Sequence, residues 1–341
     1  MRCDAFYEKG LALPLMRFGA IAAVYTLAVI AVVAFDSLWV TAAGGVVAAL
    51  CACRLFIIAH DACHGSFTGN RIVNAVVGRL AFLPAWHNFS LWTYFHNGVH
   101  HQFTNLAGRD YVWVPLSWQE FSRLPRWRRL AERLFRHPTT LGFPLYYIAR
   151  LWAPKLILPF SRMPRHVRRR SLGDLALPLA YPALLTIAVL LAHLREAEVD
   201  ALGLSLDLAA AVVMPFVAVS WAIGFVVYFN HTHPRIPWFR DERAWRRAFH
   251  QFEGATMLRA SGVWQWLIPG PIMNHTAHHY DPRIPVGKLA AAHAFIARQR
   301  NRPNHVWYWT PRKHWMVMRR CALFDYETGQ WQAFPKPRRQ A

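Results

Sequence analysis

Residues 38–64 read LWVTAAGGVVAALCACRLFIIAHDACH. Over 38–59 the only charge is Arg54, close to the end of the run. A helix of that length at about 1.5 Å per residue measures about 33 Å, enough to cross a bilayer's hydrocarbon core. The run breaks directly into His60-Asp61-Ala62-Cys63-His64. Residues four apart share a helix face, so His60 and His64 project together where the chain leaves the membrane. Arg54 lies near enough to that exit to snorkel.

Upstream, 16–35 is equally apolar and is separated from 38–59 by Asp36 and Ser37 alone, which makes the two a tight hairpin. Its length, and the lack of a small-residue cleavage site, argue against a cleaved signal peptide. Downstream, 175–193 and 208–229 form a second hairpin around the short segment 194–207. Two further stretches are apolar but interrupted: 73–91 by Arg79, Pro84 and His87, and 141–160 by Arg150, Lys155 and prolines. These, with the tryptophan-rich 264–273, are expected to lie in the membrane interface. The expected fold is an all-α integral membrane protein, a single domain over 1–341, with four transmembrane helices in two hairpins, interfacial helices and a cytoplasmic helical cap.

The 341 residues carry 39 Lys+Arg against 18 Asp+Glu, a net charge of +21. With only 17% charged residues and 55% hydrophobic ones, the chain is neither a soluble nucleic-acid-binding domain nor disordered. Cys3, Cys51, Cys53, Cys63 and Cys321 show no C-x-x-C spacing, which excludes a disulfide scaffold or a cysteine zinc site. The charge is unevenly placed. Residues 60–174 hold 16 Lys+Arg and 5 Asp+Glu, residues 230–341 hold 18 and 6, and the loop 194–207 has one arginine and four carboxylates. By the positive-inside rule both basic regions, the histidines and both termini are cytoplasmic, and the acidic loop is outside. The arginine-rich 123–136 and 162–170 either rest on anionic headgroups or dock an acidic electron donor.

Further histidines cluster beside the spans. His96, His100 and His101 follow 73–91; His275, His278 and His279 follow the fourth span; and His231-Thr232-His233 sits at that span's end. On helices His96 pairs with His100, and His275 with His278 and His279. The neighbour in each His-His pair faces an adjacent direction, as ligands to two metal ions would. Eight imidazoles exceed one tetrahedral zinc, and imidazole suits iron, zinc and copper alike. His231 or His233 is a candidate ninth ligand. His87, His137, His166, His193, His250, His293, His305 and His314 are scattered and read as structural.

The motifs HDACH, HNGVHH and HTAHH resemble the membrane fatty acid desaturase superfamily, whose pattern is H-x(3,4)-H, H-x(2,3)-H-H and H-x(2,3)-H-H. The resemblance extends through HDACHGSF, HHQFTNLAGRDYVWVP, YFNHTHPRIPW and NHTAHHYDPRIP, over roughly residues 55–290. The H-T-H-P element is similar to that of acyl-lipid Δ12/ω6-type desaturases, although the second box has three residues before its His pair where many of those enzymes have two. The resemblance implies a four-span fold, a non-haem di-iron centre (two Fe) and O2-dependent oxidation of a lipid acyl chain. It implies as ligands His60, His64, His96, His100, His101, His275, His278 and His279, with His231 preferred to His233 as the ninth.

Removing hydrogen from an unactivated methylene is beyond any side-chain acid or base, so a metal must activate oxygen. Asp61, Asp110 and Asp281 are candidates to orient the rings through their other nitrogen, with His233 and Asn274 as lesser ones. Trp92, Tyr94, Phe95, Trp221 and Phe225 lie near the clusters and either pack there or line an acyl tunnel. Neither G-x-G-x-x-G nor clustered cysteines occur, so two electrons must come from an external donor of ferredoxin or cytochrome b5 type. Two other readings stay open: a hydroxylase or ketolase acting on a hydrocarbon, carotenoid or sphingolipid, and a membrane metal transporter or haem-anchoring protein. Transport favours histidines at the bilayer midplane, whereas these flank the spans.

Overall fold

The computed structural model describes residues 4–161, 163–194, 200–249, 251, 253–262, 270–300 and 305–335. Two compact units are present: Met1–Asn97 with Ile148–Ala222, and Gly98–Tyr147 with Ile223–Ala341.

Among the described residues four helices are long and apolar enough to cross a membrane: Ala5–Ala34, Leu38–Cys63, Arg165–His193 and Ala201–His231. Each contains one of the four expected runs almost whole and extends beyond it. The second continues past residue 59 because His60, Asp61 and Cys63, though they end the apolar run, keep helical hydrogen bonding, and His64 is its C-cap. Small residues let its backbone approach its neighbours. A Cβ on Gly44 would lie 2.7 Å from Val32 Cγ2, and one on Gly45 2.9 Å from Ala210 Cβ. Near the start of the same span Thr41 Oγ1 donates to Asp207 Oδ1 at 2.7 Å, and His193 Nε2 meets Asp207 Oδ2 at 3.0 Å. This buried tie joins three of the four candidate spans and uses both carboxylate oxygens.

The interrupted stretch 73–91 forms no span. Helix Arg71–Ala81 is capped by Asn70, whose side chain accepts from the N–H groups of Ile72 and Val73. It stops before Pro84, which lacks an N–H and disfavours helical backbone in the residue before it. A short turn, Leu83–Ala85, leads to helix Phe89–Phe95, capped by Asn88. Buried Asp174 fixes this region, accepting from Arg79 Nε at 2.8 Å, Ser90 N at 3.0 Å and Ser90 Oγ at 2.6 Å. The stretch 141–160 becomes helix Gly142–Tyr146 and a π-helical segment, Tyr147–Leu156. Of 264–273, residues 264–269 lie outside the described residues and Gly270–Met273 is a 3-10 turn. Arg162, and residues 195–199 of the acidic loop, also lie outside them.

In the second unit the core forms around fully buried Trp113. Its ring stacks on Tyr146 at 3.6 Å and its indole N–H donates to Gly224 O at 3.1 Å. The expected helical cap is helical in the main, but it also holds two strand pairs. Met257–Arg259 pairs parallel with Val306–Tyr308, and Leu323–Asp325 pairs antiparallel with Gln330–Gln332. Three-residue strands are too short for alternation to register in sequence.

Candidate metal centre

In the first unit, His60 lies in the last turn of Leu38–Cys63, His64 caps that helix, and His96 caps Phe89–Phe95. Their ring centroids are 4.7 Å (His60–His64), 4.7 Å (His60–His96) and 5.0 Å (His64–His96) apart. His60 Nε2 and His96 Nε2 are separated by 2.8 Å. Asp61 Oδ1 is 3.5 Å from His60 Nδ1. The ring of Trp92 stacks on that of His96, and Asn97 Nδ2 donates to Cys63 O at 2.9 Å, pinning the end of one helix to the other.

In the second unit His100, His231, His275 and His279 are all buried, and one ring nitrogen of each lies within 4.8 Å of every other. The opposite nitrogen of each ring has an acceptor. His100 Nδ1 is 3.0 Å from Asp110 Oδ1, and Asp110 is itself held by the N–H groups of Asn105 and Tyr111. His231 Nδ1 is 3.2 Å from both Asn105 Oδ1 and Gly254 O, while Asn105 Nδ2 donates to Pro237 O and Gly254 O. His275 Nδ1 is 3.3 Å from Ile272 O. His279 Nδ1 is 3.2 Å from Thr104 Oγ1, whose own proton goes to His100 O at 2.7 Å.

With each Nδ1 placed as a donor, the tautomer follows: the four Nε2 atoms carry lone pairs. Among the described residues, buried His231 Nε2 has no hydrogen-bond partner. The Nε2 atoms of His275 and His279 face each other at 3.1 Å, an unfavourable approach for two lone pairs unless a cation lies between them. Burial first, and then the neighbouring imidazoles, hold His279 well below the ordinary histidine value, so the ring is neutral and available as a ligand. Four convergent imidazoles form a donor set for iron, zinc or copper and a poor one for magnesium or calcium. The residues present therefore fit a transition metal.

The other sequence candidates fall nearby or elsewhere. The His101 ring stacks on His279 at 4.4 Å and lies 4.7 Å from His278, which is 5.2 Å from His275. His96 and His100, paired by their spacing, fall in different histidine groups. The segment His96–His100 is π-helical; within the first unit His96 meets Trp92 and His60, and within the second His100 meets Asp110. His233 Nδ1 accepts from Arg235 N–H, and burial, His305 and Arg235 lower its pKa to about 4. Asp281 accepts from the backbone and guanidinium of Arg283, and Asn274 Nδ2 donates to Pro271 O. Tyr94 packs on Phe95 and Phe225 on Phe229.

The scattered histidines have local partners: His87 with Ala85 O, His193 with Asp207, His293 with Thr276, and His314 with Pro138 O. His250 lies outside the described residues. Thr104, Asn105 and the carbonyls of Gly254 and Ile272 escaped the sequence reading. Only the first two carried a signal, as polar residues a turn beyond the second box.

The comparisons with known proteins agree with this geometry. The fatty acid desaturase family model matches residues 37–313. The chloroplastic omega-6 fatty acid desaturase of Brassica napus is 28% identical over 276 residues, covering 80% of this chain and 57% of that protein. The sn-1 oleoyl-lipid 12-desaturase of Picosynechococcus is 26% identical over 288 residues, 80% of this chain and 73% of that one. A fatty acid desaturase of Bacillus subtilis is 26% identical over 254 residues, 74% and 66% respectively. The chain spans about three fifths or less of the length of the chloroplast relatives it matches. Since the matched segment includes every histidine of both groups, the chain belongs to the fatty acid desaturase family.

Proposed function

We propose that the protein is an O2-dependent desaturase that introduces a double bond into the acyl chain of a membrane lipid, using two non-haem irons. The observation that carries this reading is the convergence of four Nε2 lone pairs whose Nδ1 partners are all accounted for. His100, His231, His275 and His279 would hold one iron, and His60, His64 and His96 would contribute to the other; His101 and His278 are the remaining proposed ligands. The acyl-lipid carrier is favoured by the relatives named omega-6 and sn-1 oleoyl-lipid 12-desaturase.

Iron so held supplies oxygen activation, which C–H cleavage at a methylene requires. The protein's own residues keep the rings aimed: Asp110, Asn105, Thr104 and two backbone carbonyls accept from the Nδ1 side. The overall reaction takes two hydrogens from the chain and two electrons and two protons from outside, reducing one O2 to two waters. The electrons would come from a ferredoxin or cytochrome b5 type donor. The basic flanks of the spans support cytoplasmic histidines and termini.

Gas chromatography of fatty acids from a host lacking polyunsaturates tests the reading. Wild type should yield a new diunsaturated acid and His231→Ala none. A hydroxylated or keto product without a new double bond would overturn it in favour of the hydroxylase or ketolase reading.

A further inference from the structure

Helix Arg126–Phe135 is turned the wrong way for a helix of a water-soluble domain. Trp127, Leu130 and Leu134, spaced i, i+3, i+7 on one face, are 66%, 68% and 43% exposed, whereas Glu132 and Phe135 are buried. By helical spacing Arg126 borders the apolar stripe and Arg128 and Arg129 lie further round the helix, with the Arg128 guanidinium 5.0 Å over the Trp127 ring. Residues 123–136 hold six arginines and a single carboxylate, Glu132.

The depth of this helix follows from contacts within the second unit, which contains residues 223–231 of the fourth candidate span. Immediately after the helix, Arg136 packs over the ring of Tyr228 at 5.8 Å. Phe143 packs on Tyr228 at 5.3 Å and sits 3.0 Å from where Gly224 would carry a Cβ. Tyr228 and Gly224 are one and two turns before the end of the span at His231. At that level an exposed apolar face meets the interface of the bilayer, not bulk water. Leu141 and Leu145 continue the apolar surface at 74% and 50% exposure.

We propose that Arg126–Phe135 is an in-plane docking helix for an anionic lipid surface. Trp127, Leu130 and Leu134 insert below the headgroups while Arg126, Arg128 and Arg129 sit on the phosphates. The stripe matches the apolar boundary and the arginines match the charge above it, a pairing that an acidic soluble protein would not need. This inference rests on the spans and does not depend on the desaturase reading.

The test is spin-label accessibility in the full chain, with Cys3, Cys51 and Cys53 replaced and single labels introduced by Leu130→Cys, Leu134→Cys or Arg129→Cys. The protein is placed in nanodiscs of phosphatidylcholine with or without phosphatidylglycerol. With phosphatidylglycerol, labels at 130 and 134 should favour oxygen over a water-soluble nickel chelate, and the label at 129 the reverse. Without it, or in the triple Arg126→Gln, Arg128→Gln, Arg129→Gln variant, the label at 130 should shift toward nickel. Labels at 130 and 134 that favour nickel in both lipids would mean a water-facing surface free for a soluble partner. Labels closed to both reagents would mean protein burial. Either result overturns the proposal, and an unchanged depth without anionic lipid overturns its charge specificity.

Discussion

His100 and Asp110 show how a candidate metal ligand is fixed at the scale of single residues. The imidazole is ordinary; what fixes it is a carboxylate that is itself held by two backbone N–H groups. Asp110→Ala removes that acceptor and frees the tautomer. Metal affinity should fall about 10- to 100-fold, read as metal per chain after dialysis, with the helical circular dichroism retained. Thr104→Val should have a smaller effect in the same direction, through His279.

Other buried histidines set a pH response of the fold. Burial lowers His87 to about 3, and His314 is lowered by burial as well. The unfolded chain binds a proton at each near pH 6.5 and the folded chain only at lower pH, so stability is lost as pH falls below about 6.5, with a slope of up to about 1.4 kcal/mol per pH unit for each. Thermal unfolding of the metal-free protein in detergent between pH 7.5 and 5 should show this decline, and His87→Phe should flatten it. At this scale the histidines of the site were legible by spacing. Of their holders, Asp110 was a candidate from the sequence, whereas the carbonyl of Gly254 and the hydroxyl of Thr104 were not, because they come from other segments than the rings they serve.

At the scale of elements, the spans were legible because twenty apolar residues have few alternative fates. Their ends were not, since the criterion stops at the first polar residue and the helix Leu38–Cys63 does not. The choice of glycine within that helix is explained by its neighbours. Gly45 lies against Ala210, and a side chain there must push two helix backbones apart. Gly45→Leu should destabilise by about 1–3 kcal/mol, measured as a lowered unfolding midpoint in detergent, whereas Leu50→Ala on the exposed face of the same helix should change it little. The short strand pairs were invisible because three residues carry no period, and Pro84 gave the one clear stop within 73–91.

Across the whole molecule, the boundary between the two compact units falls inside the second histidine motif, between Asn97 and Gly98, where composition shows no linker. Spacing alone could therefore assign the motif to metal chemistry but could not divide it: His96 joins His60 and His64, while His100 joins His231, His275 and His279. The net charge of +21 likewise says nothing of orientation as a total; only its uneven placement along the chain supports the proposed one. The central claim, that these imidazoles hold two irons, is tested most directly by metal analysis of the purified full chain. About two irons per chain in the wild type, with a clear loss in His231→Ala, is the predicted result. Haem absorption, or wild-type iron content in His231→Ala, would contradict it.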